Sequence, residues 1–142
     1  MPFRSIGRAA AASLGLLLAL GPTAALAADP NRCQALRQEH DALAAQAMAA
    51  EIALARQVRA QICPALQRQV EQANGTGEAL EPLAISAWIH CRQRAEAALE
   101  RHNPILYRNP QGFPYYSSSG AALAAQAEQR RATLALEPCQ QP

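Results

Sequence analysis

From Asp29 onward the apolar residues of the chain fall at helical steps. Leu36, Leu43 and Ala50 are seven apart, and Ala55, Val58, Ile62, Leu66, Val70 and Ala73 continue the stripe at intervals of three or four. Asp29-Pro30 supplies a capping acid and a proline suited to a first helical turn, and no glycine follows until Asn74-Gly75-Thr76-Gly77. The pattern predicts one long helix or two in series. Pro64 is the interior breaker, because it removes a backbone donor and crowds the carbonyl four residues earlier.

A second helix is predicted from about Pro82 to His102, with the stripe Ala84, Trp88, Cys91, Ala95 and Ala98. It stops there because Pro104 pushes Asn103 away from helical angles. A third follows Ser117-Ser118-Ser119, where a serine can cap it, and runs through Leu123, Ala127, Arg130 and Leu134 to just before Pro138. No segment shows the two-residue alternation of a half-buried strand. The expected fold is all-α.

The first residues read differently. Arg4 and Arg8 precede the apolar run 9–20 and the small-residue site Ala25-Leu26-Ala27, the layout of a secretory leader cleaved after residue 27. An uncleaved anchor is the alternative, since residues 9–28 carry no charge. Gly21-Pro22 and the lack of a charged stop-transfer flank favour cleavage, and the separated arginines favour the general secretory route over the twin-arginine one. Residues 28–142 then form a single domain in a bacterial periplasm or outside the cell, with no membrane attachment after cleavage.

Charge narrows the partners. All 13 basic residues are arginine, against 11 acids. The leader holds two of the arginines, so the exported part is formally neutral. A neutral domain lacks the basic footprint expected of a nucleic-acid or anionic-membrane binder. The absence of lysine beside abundant Ala and Arg fits GC-rich bacterial coding.

The four cysteines lie beyond the leader, and an even count in a short exported chain implies disulfides. In a continuous first helix Cys33 and Cys63 would sit about 45 Å apart at 1.5 Å per residue, far beyond disulfide reach. Cys63 and Cys91 are each 14 residues from Gly77, and residues equidistant from the turn of an antiparallel hairpin face one another. The expected pairs are Cys63 with Cys91 and, by elimination, Cys33 with Cys139. They place His102 opposite residue 52 and Ala121 opposite residue 51. The architecture expected is a long antiparallel helical hairpin of about three helices, its second arm broken by a loop over 103–120. A compact bundle made by a sharp break at Pro64 is the alternative, and either form could complete its core as a homodimer.

That loop holds the concentrated chemistry. Tyr107, Phe113, Tyr115 and Tyr116 are four of the five aromatic residues outside the leader, and Arg108 lies among them. Pro110-Gln111-Gly112 suits the centre of a turn whose glycine takes a positive φ. Rigid rings with polar tips give large contact area at little entropic cost, so these five residues are the candidate binding surface. The competing role for the rings is an aromatic core that Ala-rich helices lack.

Catalytic patterns are weak. His90 and Cys91 are helical neighbours that diverge by about 100°, and Cys91 has a disulfide partner. Glu39-His40-Asp41 likewise diverge. His40, His90 and His102 are scattered without a metal-ligand spacing, so neither a metal nor another cofactor is expected. The expectation is a non-enzymatic protein binding an envelope protein or cell-wall component through the loop. The rivals are a small hydrolase or effector built around His102, Arg108 and the tyrosines, and a purely structural oligomerising module.

Overall fold

The computed structural model describes residues 29–136 and Cys139. The leader expected over residues 1–27 lies outside the described residues. Four helices and one short hairpin follow in order: α1 Pro30–Ile62, α2 Pro64–Thr76, α3 Pro82–His102, β1 Tyr107–Arg108, β2 Pro114–Tyr115 and α4 Ser118–Leu136. Among the described residues no helix is long and apolar enough to cross a membrane.

Proline placement sets most helix starts. The Asp29 carboxylate accepts a hydrogen bond from the Asn31 amide at 2.9 Å, and Pro30 occupies the first turn, where a missing N–H costs nothing. Pro64 and Pro82 likewise occupy the first turns of α2 and α3, there without a side-chain cap. Asn103, before Pro104, is extended at φ −122 and ψ 130 and ends α3.

The core is a seam of mostly small side chains. Along α1 the buried and half-buried positions Cys33, Leu36, His40, Leu43, Ala47, Ala50 and Leu54 alternate steps of three and four, the spacing that keeps one helix face against a neighbour. α4 lies antiparallel on the first half of this face and is its most extensive partner, burying Gly120, Ala121, Ala124 and Ala127. Glu39 and Arg130 pair across the two helices at 2.7 Å. α3 covers the second half of α1 through Cys91 and Ala95. The broken antiparallel arm is therefore α3 followed by α4.

Both disulfides join the expected partners. The Cα atoms of Cys33 and Cys139 are 5.6 Å apart and those of Cys63 and Cys91 6.2 Å apart, each a normal disulfide span. Such bonds persist in an oxidising, extracytoplasmic environment.

The first arm is broken rather than gently bent at Cys63, whose φ −140 and ψ 62 are not helical. Arg56 and Glu71 are ion-paired, although a straight helix would hold their backbones about 22 Å apart at 1.5 Å per residue. α2 therefore folds back on α1, raising the helix number to four. Arg59 Nε donates to Gln67 Oε1 at 3.0 Å and Gln67 Nε2 donates to Glu71 at 2.6 Å, so a polar chain holds the fold-back. Hydrogen bonds from Arg56 and then Gln67 keep the Glu71 carboxyl below the usual carboxylate range. Its contribution is present at neutral pH and is lost as pH falls through that depressed value. Trp88 of α3 lies under the Arg59 guanidinium at 5.3 Å, closing the corner between three helices.

Candidate functional site

The segment between α3 and α4 forms a β-hairpin rather than an irregular loop. Tyr107 pairs with Tyr115 and Arg108 with Pro114. Two residues per strand are too few for an alternation to show in sequence; local turn bonds shape the hairpin instead. The Gly112 amide donates to the Asn109 carbonyl at 2.8 Å, and Gly112 has φ 86, the left-handed conformation that glycine adopts without a side-chain clash. The Asn109 side chain accepts from the Phe113 amide at 2.8 Å, and Arg108 Nη1 donates to the Gly112 carbonyl at 2.6 Å.

The hairpin has an inner and an outer side. Tyr115 is only 5% exposed and packs in the cluster formed with Ala47, Ala121 and Ala124, with Tyr107 beside it. It supplies the bulk that the alanine seam lacks and takes the core role, while the segment around it packs against α4 and is tied to α1 through Ala47 and Glu51. Tyr107 and Phe113 flank its ring at 5.9 and 5.1 Å, the latter edge to face. Tyr116 is half-buried, whereas Arg108 and Phe113 are exposed. Ile105 and Leu106 are also exposed, at 46% and 48%, as is Phe113 at 39%. The first two were absent from the sequence-based site because they carry no distinctive chemistry.

A buried carboxylate anchors the hairpin to α1. Glu51, 8% exposed, accepts from the Tyr116 amide at 3.1 Å, the Ser117 amide at 2.9 Å and the Ser117 hydroxyl at 2.6 Å. The Ser117 oxygen in turn accepts from the Gly120 amide at 3.0 Å, which caps α4. An acid at a helix start meets unpaired N–H groups and the positive end of the helix dipole. Glu51 thus caps α4 from another helix. The signal was present in the register that puts residue 51 beside Ala121, since an acid on an apolar seam needs a donor set.

Close approach at this junction requires glycine. A Cβ on Gly120 would lie 2.5 Å from both Glu51 Oε1 and Ser117 Oγ and 3.2 Å from the Ala47 carbonyl oxygen. An exposed helical Gly→Ala change normally stabilises by about 0.5–1 kcal/mol. Gly120→Ala is expected to reverse that sign and cost about 1–3 kcal/mol, as overpacking does; chemical denaturation reads the difference.

Next to the hairpin, a groove of about 440 Å³ opens between α1 and α3, with Phe113, Pro114 and Tyr116 at its hairpin end. Met48, Ile52, Leu99 and Phe113 make its apolar part, and Arg59 and Arg92 stand at one end. Burial first, then the nearby Arg92 and Arg56 charges, pull the Arg59 guanidinium below its usual range.

The remaining sequence candidates do not converge. Cys91 is bonded to Cys63, and His40 Nδ1 lies 2.9 Å from Asp41. Among the described residues no group of three or more His, Cys, Asp or Glu could hold a metal ion.

Fold and site together define a disulfide-stapled helical scaffold that presents an anchored aromatic hairpin. Comparison with protein-family models, curated proteins and solved structures returns no match to this chain.

Proposed function

We propose that this chain is an exported, non-enzymatic protein of the bacterial periplasm or the external medium that binds a cell-envelope protein through the outer side of its hairpin. The observation that carries the reading is the exposure of Ile105, Leu106 and Phe113 on a segment held in place by the buried Tyr115 and by Glu51. Apolar side chains already held in place bind with little further ordering cost. Arg108, exposed at the rim, gives the patch a polar edge while its Nη1 braces the turn. The leader pattern and the two disulfides support the address.

Affinity capture from envelope extracts tests the proposal. The native chain is expected to retain a defined protein, and Leu106→Ala/Phe113→Ala to lose it with helical circular dichroism and melting temperature nearly unchanged. Equal recovery by both would remove the hairpin as the contact surface. Capture of a cell-wall component instead would replace the proposed partner class.

A further inference from the structure

α3 carries a second seam that the fold leaves exposed along most of its length, with Leu99 at its far end half-buried. Its inner stripe, centred on Cys91 and Ala95, faces the other helices. One position further along, Ile85, Ile89, Arg92, Glu96 and Leu99 recur at steps of four, three, four and three, which holds five side chains on one helix face. Ile85 and Ile89 are 46% and 50% exposed. The Arg92 and Glu96 side chains are 58% and 66% exposed, and at 3.9 Å their mutual ion pair is loose.

We infer that this seam is the two-fold interface of a homodimer in which α3 lies antiparallel against α3 of a second copy. The seam is complementary to its own reverse. In the register centred on residue 94, Ile89 meets the partner's Leu99, Arg92 meets the partner's Glu96, and the same pairs repeat beyond the axis. A two-fold interface requires such self-complementarity, because each contact occurs twice. The in-register parallel arrangement would set Arg92 against the partner's Arg92 and Glu96 against the partner's Glu96, and like charges disfavour it. The groove beside the seam completes the fit. Ile52 and Met48 of α1 border Leu99 there, 59% and 38% exposed, and the antiparallel register brings the partner's Ile85 and Ile89 to this apolar end. The dimer does not use Ile105 or Leu106; Phe113 lines the groove and also belongs to the envelope-binding patch, and the charge variants below leave it unchanged, so the two readings are tested apart.

Sedimentation equilibrium of the oxidised chain, with charge variants, tests the inference. The native chain is expected to dimerise in the micromolar range. Arg92→Glu and Glu96→Arg, each alone, place like charges across the axis and are expected to weaken self-association by about tenfold or more. An equimolar mixture of the two variants is expected to recover a one-to-one heterodimer, because every opposed pair is then of unlike charge. Matching circular dichroism spectra establish that both variants are folded. A native chain that stays monomeric, single variants that dimerise as the native chain does, or a mixture that fails to recover association would each overturn the inference.

Discussion

Tyr115→Ala is expected to lower the free energy of unfolding by about 3–5 kcal/mol, the cost of deleting a buried aromatic ring. Its neighbours explain why the loss should be large. Ala47, Ala121 and Ala124 form the wall around the ring, and alanine has no side-chain freedom with which to fill the space left behind. Phe113 and Tyr107 would also lose the ring they flank. Denaturant titration of oxidised protein measures the effect. Tyr116→Ala is the internal comparison, since that residue is only half-buried and should cost less. A loss below about 1 kcal/mol at Tyr115, the scale of an ordinary surface or minor change, would show that the hairpin does not share the helical core.

Removing the Cys33–Cys139 disulfide as a Cys33→Ser/Cys139→Ser pair is expected to have a comparable effect. The bridge spans 106 residues of sequence, and chain entropy assigns about 4.7 kcal/mol to closing a loop near that size, an upper value because the opened chain keeps some structure. Domains of this size have about 5–15 kcal/mol in total. The α1 to α4 seam is built largely from alanine and glycine, which bury little apolar area per residue, so packing offers limited compensation. The Cys63→Ser/Cys91→Ser pair, spanning 28 residues, should lose less, about 3–4 kcal/mol. Equal midpoints for the native and Cys33→Ser/Cys139→Ser proteins in guanidinium would contradict the assigned role of the long bridge.

The features legible in the sequence were those with a local cause. Asp29-Pro30, Pro82 and Asn103-Pro104 mark helix boundaries because a ring locks φ and removes a donor at the residue concerned. Equal spacing of Cys63 and Cys91 from Gly77 anticipated their disulfide, and Gly112 takes the left-handed conformation its turn requires. The fold-back at Pro64 was harder to see. Proline weakens a helix whatever angle the chain then takes, and here the angle is held by Arg59, Gln67 and the Arg56–Glu71 pair. The aromatic segment was recognisable as a unit, but which of its rings is buried depends on where the hairpin lands on the helices. Tyr115 and Phe113, two residues apart, share a strand face and touch edge to face, yet only Tyr115 reaches the alanine cluster. Glu51 was legible only jointly with the disulfide register, because its partners lie 65 and 66 residues along the chain.

Amide hydrogen exchange at Tyr116 and Ser117 tests most directly whether the hairpin is a preformed structure anchored to α1. Both amides donate to Glu51, so in the native chain they should exchange far more slowly than free peptide, and Glu51→Ala should release them while Ala124 and Ala127 inside α4 stay protected. Exchange of Tyr116 and Ser117 at the free-peptide rate in the native protein would contradict an anchored hairpin and remove the physical basis for its role as a ready-made binding surface.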